Sequence, residues 1–331
     1  MPERACDLWW LFTRQTVCVT KEEKIIDAAL LMCARNFRHL PVVLNDTSKV
    51  VGIISAQDII DSLNLALQSN LSSPEQIEDS LNFPLEKIMS ISTLAVEPGD
   101  GLVQVIKKIV HYNVGALPVV NEIGIIQGII TLRDLVALIG MSSNPLNIPV
   151  SRIMNTNITT VRQEDSFRKA VQLMSERRVR RLPILSNKNK NELIGVITNK
   201  DILRYVLEMV KTNSKGILSG SPWYEAYDPS RNLHSRLRKG FETPVSELMT
   251  RDVITINEND DLRVAASRMM IFGVGGLVVT RDDQSGEDTS QKQIGLITER
   301  DLIRTLSIKE SIDFLMSAMQ YESESESKLE R

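Results

Sequence analysis

One heptapeptide recurs four times in this chain, and recurrence of that kind restricts the fold before any local propensity is considered. The copies are Gly52-Ile53-Ile54-Ser55-Ala56-Gln57-Asp58, Gly128-Ile129-Ile130-Thr131-Leu132-Arg133-Asp134, Gly195-Val196-Ile197-Thr198-Asn199-Lys200-Asp201 and Gly295-Leu296-Ile297-Thr298-Glu299-Arg300-Asp301. Each is Gly, two apolar residues, a hydroxyl, two variable residues and Asp. The flanks repeat as well. Ten to twelve residues upstream stand Leu40-Pro41-Val42-Val43, Leu117-Pro118-Val119-Val120 and Leu182-Pro183-Ile184-Leu185, while the fourth copy has Leu277-Val278-Val279 without the proline.

Before those strands, apolar residues at spacings of three and four predict an amphipathic helix, as in Ala28, Leu31 and Met32 or Ala170, Leu173 and Met174. Before each helix a short strand is expected over 12–19, 89–96, 154–161 and 249–256, headed by Met89, Met154 and Met249 in the last three. Acidic and turn residues such as Asn259-Asp260-Asp261 supply N-caps. A further helix starts after every heptapeptide. Each repeat therefore reads strand, helix, strand, strand, helix.

The 331 residues suffice for about two domains that each bury a core. Residues 144–149, with Asn144, Pro145 and Pro149, mark the boundary. The expected organisation is a first module over 1–142, with repeats at 1–65 and 86–142, and a second over 150–315, with repeats at 150–208 and 245–310. The segment 207–244 carries Trp223, Tyr224 and Tyr227 and reads as a loop packed on the surface. Residues 282–292 read as a polar hairpin, and the acidic 316–331 as a disordered tail.

Composition narrows the function classes. A formal charge of −3 supplies no global field for nucleic acid or anionic lipid. The apolar runs fall short of the ~18 residues a spanning helix needs, and Glu3, Arg4 and Asp7 interrupt the position of a signal-peptide core. These features lead to the expectation of a cytoplasmic protein. Cys6, Cys18 and Cys33 lack metal-ligand spacing and read as reduced thiols, and His39, His111 and His234 are too scattered for a zinc motif. A metal enzyme is not expected.

The four repeats resemble cystathionine β-synthase (CBS) domains, which associate in pairs as Bateman modules. The likeness spans about residues 12–308, and the architecture is similar to that of the gamma subunit of AMP-activated protein kinase. It implies an α/β (α+β) fold of four βαββα repeats in two modules. It also implies a non-catalytic regulatory protein binding AMP, ADP or ATP between paired repeats, with an S-adenosyl compound as another ligand of the same shape. In such proteins the heptapeptide Asp holds the ribose hydroxyls, the Ser or Thr faces ribose or phosphate, and the partner repeat supplies base and phosphate contacts.

Applied residue by residue, the resemblance ranks four clefts. Thr298 and Asp301, with Arg300, face Thr159, Arg178, Val179, Arg180 and Arg181, which gives the richest phosphate end. Thr131, Arg133 and Asp134 face Val17, Phe37, Arg38 and His39 and rank second. Thr198, Lys200 and Asp201 face Gly273-Val274-Gly275-Gly276, which offers no side-chain cation. Ser55 and Asp58 face Asn113-Val114-Gly115-Ala116, with Gln57 where a cation would help. A plainer reading stands beside this one: Asp and Thr at a strand-to-helix junction cap the helix, and the arginines suit a helix end.

Signalling to an unidentified protein partner is thus the leading function, and a homodimer is equally permitted. A ligand-free scaffold or nucleic-acid-binding regulator is the alternative; charge weighs against nucleic acid. An enzyme of nucleotide metabolism such as inosine monophosphate dehydrogenase would need a barrel for which the repeats leave no room.

Overall fold

Each apolar heptapeptide strand needs a neighbour on either edge and a helix on one face, and each repeat builds that unit from its own flanks. The computed structural model describes residues 11–69, 74–91, 94–142, 144–188, 192–213, 240–281 and 292–307. Repeat one comprises β1 (Val19–Thr20), α1 (Ile25–Arg35), β2 (His39–Val43), β3 (Val50–Ser55) and α2 (Ala56–Gln68), followed by α3 (Pro74–Leu81). Repeat two has β4 (Ser90–Ile91), α4 (Leu102–His111), β5 (Ala116–Val120), β6 (Ile126–Thr131) and α5 (Leu132–Met141). Repeat three has β7 (Val161–Arg162), α6 (Phe167–Glu176), β8 (Arg181–Leu185), β9 (Leu193–Thr198) and α7 (Asn199–Asn213). Repeat four has β10 (Thr255–Asn257), α8 (Leu262–Ile271), β11 (Gly276–Arg281), β12 (Lys292–Thr298) and α9 (Glu299–Leu306). This is the expected mixed α/β architecture.

Several expectations are corrected. The leading strands are only two or three residues long; a 3-10 turn precedes each methionine, at Leu85–Lys87, Val150–Arg152 and Val245–Glu247, and most of each Met-headed stretch crosses the neighbouring repeat by single bridges or a short pairing. Thr159 consequently lies ahead of β7 instead of on it. In repeat two the strand parallel to β5 shrinks to one bridge, Val96 with Val119, and β4 pairs with β3 of repeat one. Helix α3 forms within a stretch read as a simple join, and α7 runs on into the segment read as a loop. Residues 214–239 of that segment, with Trp223, Tyr224 and Tyr227, lie outside the described residues, as do Cys6, residues 282–291 and the tail.

The central hairpin is identical in register in all four repeats. The heptapeptide glycines oppose Val42, Val119, Ile184 and Val279, and a register shift follows each of them at the next residue. Losing the proline in repeat four changes nothing in that register: Val278 opposes Leu296 as Pro41 opposes Ile53. The amide that proline lacks is present there, and Val278 N donates to Ile254 O at 3.3 Å.

The cores do not follow the division of the sequence into halves. One buried cluster joins Leu30, Leu31, Ile59 and Ile60 of repeat one to Phe167, Val171, Ile202 and Tyr205 of repeat three. A second joins Val105, Leu135 and Ile139 of repeat two to Ala265, Ala266 and Ile303 of repeat four. Sequence reading expected a separate core in each half. The difference is physical: each repeat's two helices carry more apolar face than one small sheet can cover, so helices α1 and α2 pack on α6 and α7, and α5 packs on α8. Each fully buried large side chain contributes roughly 1.5–3 kcal/mol to that contact.

Candidate functional site

The repeated glycine and the repeated methionine are two halves of one contact. The leading segment of each repeat crosses the heptapeptide strand of its neighbour, through bridges Thr13 to Ile129, Asn155 to Leu296 and Thr250 to Val196, and through β4 on β3. A Cβ on Gly52 would lie 2.5 Å from Ser90 O, and one on Gly295 3.0 Å from Asn155 O and Met154 Sδ. On Gly195 it would overlap Met249, and on Gly128 it would overlap Phe12, which takes the methionine's place in repeat one. The glycines therefore admit the partner repeat. Reciprocal crossings make repeats one and two a pair, and repeats three and four another.

At the end of the heptapeptide strand the hydroxyl and the Asp form a capping box on α2, α5 and α9, and Thr198 makes the same two bonds to Asp201 at the start of α7. Oδ2 of the Asp accepts from both the backbone N–H and the hydroxyl, at 2.7 and 2.8 Å in Ser55–Asp58, 2.7 and 2.7 Å in Thr131–Asp134, 2.8 and 2.7 Å in Thr198–Asp201, and 2.8 and 2.6 Å in Thr298–Asp301. The capping interpretation is thus correct, and it leaves Oδ1 of each Asp outside the box. It also corrects the hydroxyl's expected part: its proton is committed to the Asp, so toward a ligand it can only accept. Burial raises Asp58, Asp134 and Asp201 above the usual carboxylate range, against the lowering by their Ser or Thr hydrogen bonds.

Three cavities adjoin these junctions. The first, about 270 Å³, contains Thr131, Arg133 and Asp134 with Val17, Phe37, Arg38 and His39, the grouping expected for that cleft. The second, about 410 Å³, contains Thr198, Lys200 and Asp201 opposite Phe272 to Gly276. Its repeat-four side was expected to offer no side-chain cation, and that holds, yet Arg38 and Arg133 line it from repeats one and two and Arg180 and Arg181 from repeat three itself. The third, about 500 Å³, unites the Ser55–Asp58 and Thr298–Asp301 junctions and holds Arg178, Val179, Arg180, Arg181 and Arg300. Thr159 lines none of them.

The cationic ends of the clefts converge because small and large residues alternate just before the central strands: Arg38-His39, Gly115-Ala116, Arg180-Arg181 and Gly275-Gly276. His39 sits over Gly115, where a Cβ would be 2.6 Å from Nε2, and Arg38 lies 2.5 Å from the corresponding point on Gly275. Arg181 occupies the space beside Gly276. Arg180 lines all three cavities. Burial, together with neighbouring arginines, pulls Arg180 and Arg181 down to about 10, so both stay charged at neutral pH. His39 falls well below its ordinary value through burial and through Arg180, Arg38 and Arg300, which keeps it neutral. Among the described residues, the buried Arg181 Nη1 has no hydrogen-bond partner.

The sixth heptapeptide residue braces the two pairs of repeats. Arg133 Nη2 donates to Gly273 O at 3.0 Å, Arg300 Nη1 to Asn113 Oδ1 at 2.5 Å, Gln57 Nε2 to Met174 O at 3.3 Å, and Lys200 Nζ to Asn36 Oδ1. Repeat one thus reaches three, two reaches four, and each is answered. Burial, with Arg204 adding to it, lowers Lys200 to about 8. These cations line the cavities as expected, but their present partners lie across the interface.

Sequence reading missed Glu299, which is 4% exposed at the centre. Arg38 Nη1 and Nη2 donate to its Oε2 and Oε1 at 2.7 and 2.8 Å, and Arg133 Nε stands 3.6 Å from Oε1. Burial alone would raise its pKa, but Arg38, Arg133 and Arg181 hold it below the usual range. A signal existed: the position after the hydroxyl is Ala56, Leu132 and Asn199 elsewhere and acidic only here.

Repeats that pair through crossing strands, with a carboxylate at each junction, define a class of tandem-repeat proteins with clefts between partners. The chain belongs to the CBS-domain family, whose sequence pattern matches residues 7–65, 85–140, 150–208 and 245–308. It is 26% identical over 311 residues to a 33.4 kDa protein in the ribosomal RNA operon of Thermofilum pendens, covering 90% of each chain. It is 33% identical over 153 residues, 46% of each chain, to protein MJ1225 of Methanocaldococcus jannaschii. The crystal structure of MJ1225, proposed as an archaeal homolog of g-AMPK, superposes with a TM-score of 0.69 at 24% identity, covering 91% of this chain and 99% of that one. A conserved protein from Pyrococcus horikoshii gives a TM-score of 0.54 at 20% identity, covering 89% and 97%. At those identities the likeness speaks for the fold.

Proposed function

We propose that this chain is a non-catalytic regulatory protein that takes AMP, ADP or ATP in clefts between paired repeats and passes their occupancy to a protein partner. The observation that carries this reading is the buried Nη1 of Arg181, without a hydrogen-bond partner among the described residues, within a cluster of arginines lining cavities that also hold the junction carboxylates Asp58, Asp201 and Asp301. Buried guanidinium groups without partners are costly, and a phosphate supplies the missing acceptors. A carboxylate Oδ1 accepts from ribose hydroxyls, and the strand walls supply apolar contact for a base. The ligand's two ends thus find opposite chemistries in one cleft.

The repeated polar constellation is a cap and an acceptor rather than a nucleophile with a general base, which favours binding over catalysis. An S-adenosyl compound would satisfy the carboxylate but bring a sulfonium cation toward the arginines, so a phosphate-bearing ligand fits better. Occupancy reaches a partner through the arginines themselves: Arg38 and Arg133 bind across repeats, so an anion that takes them alters the contact between the two pairs.

The test is thermal unfolding of the full chain with millimolar AMP, ADP, ATP, adenosine or inorganic tripolyphosphate. Nucleotides are expected to raise the midpoint by several degrees and adenosine to raise it less, since only the former fill the cationic centre. No shift with any nucleotide would sink the proposal.

A further inference from the structure

The central arginines already hold one anion, and it is part of the chain. Glu299 lies between Arg38, which grips both its oxygens, and Arg133 at 3.6 Å, and it lines the first and third cavities. Arg180 and Arg181 experience its field as well. Only repeat four carries an acid at this heptapeptide position, and its carboxylate reaches a guanidinium 261 residues away in sequence. A cap or a brace for α9 alone would not require this direction. Thr298 and Asp301 already cap that helix.

A nucleotide whose ribose sits at Asp134 or Asp301 extends its phosphates toward these arginines, and the number of phosphates decides how far. A single phosphate finds Arg180 and the rim of the cluster. A second and third advance into the space beside Glu299, where two costs meet: repulsion from a buried carboxylate, and loss of its bidentate bond to Arg38. We propose that Glu299 is a specificity-determining residue that sets the phosphate number these clefts accept, by occupying Arg38 and Arg133 against the terminal phosphates of di- and triphosphates. The inference rests on the nucleotide reading above and names the residue that tunes it.

The experiment is calorimetric titration of AMP and ATP into the full-length wild type, Glu299→Gln and Glu299→Asp, reading the ratio of the two affinities. Glu299→Gln removes the charge at nearly constant shape and should shift the ratio toward ATP by about tenfold or more, given the coupling typical of buried charge pairs. Glu299→Asp keeps the charge and should hold the ratio within about threefold of wild type. Should Glu299→Gln fail to fold, Glu299→Met removes the carboxylate at similar volume while leaving Arg38 and Arg133 available to phosphate, and the ratio should move the same way. An unchanged ratio in the charge-removing variant, or an equal shift in Glu299→Asp, would overturn the inference while leaving nucleotide binding intact. If wild type binds neither nucleotide, it is the functional proposal that fails instead.

Discussion

Arg178 holds a backbone conformation, φ 50°, that its side chain does not favour. The equivalent helix ends in the other repeats use Asn36, Asn113 and Gly273, the residue types that tolerate left-handed geometry. A strained arginine where asparagine would serve suggests a side chain kept for its charge, and Arg178 lines the cavity shared by Asp58 and Asp301. Arg178→Asn should therefore stabilise the fold by about 0.5–1 kcal/mol in denaturant unfolding while weakening ATP binding severalfold. Lower stability together with unchanged binding would contradict this. At this scale the sequence was legible where neighbouring repeats meet, as with Asp134 beside Arg38 and His39. It named Arg180 for one cleft but was silent on its lining all three cavities and on Glu299, because those neighbours depend on how the pairs of repeats stack.

The elements are held in pairs by a methionine or phenylalanine laid against a glycine in the neighbouring repeat. In repeat three a Cβ on Gly195 would overlap Met249 and stand 3.0 Å from Thr250 O, whereas one on Gly99 would meet nothing within 4 Å. Gly195→Ala should cost about 1–3 kcal/mol through overpacking at the crossing, and Gly99→Ala should be near neutral, as read by denaturant midpoints. Equal effects would mean that the crossing is not close-packed. The βαββα order and the hairpin register follow from the sequence because apolar spacing and the Gly-to-Asp motif are local signals. Strand lengths do not, since the same apolar pattern serves a paired strand and an extended segment, and only the partner strand decides between them. Thr159 lies just ahead of β7 for that reason, and the arginines beside the Asp201 junction depend on a longer-range contact. Gly275-Gly276 looked like a missing phosphate end, yet its emptiness is what lets Arg38 and Arg181 enter.

In the whole molecule, β4 on β3 and isolated strand bridges join repeat one to two, bridges join three to four, helices join one to three and two to four, and Arg38–Glu299 links one to four. Every junction carboxylate therefore opens toward the same group of guanidinium side chains, and a ligand in one cleft changes the charge felt by the rest. Among the described residues no helix is long and apolar enough to cross a membrane, and no group of three or more His, Cys, Asp or Glu side chains is placed to hold a metal ion. The central claim is that these clefts are adenine-nucleotide sites built from a carboxylate of one repeat and arginines of others. Its most direct measurement is isothermal titration of ATP and AMP into wild type and into Asp58→Asn/Asp134→Asn/Asp201→Asn/Asp301→Asn, a variant that retains a capping side chain at each helix. Wild type should bind with measurable heat, and the folded quadruple variant about tenfold or more weakly, for the charge-assisted ribose bonds it lacks. Absence of heat from wild type at millimolar nucleotide, or equal affinity in the two proteins, would contradict the account.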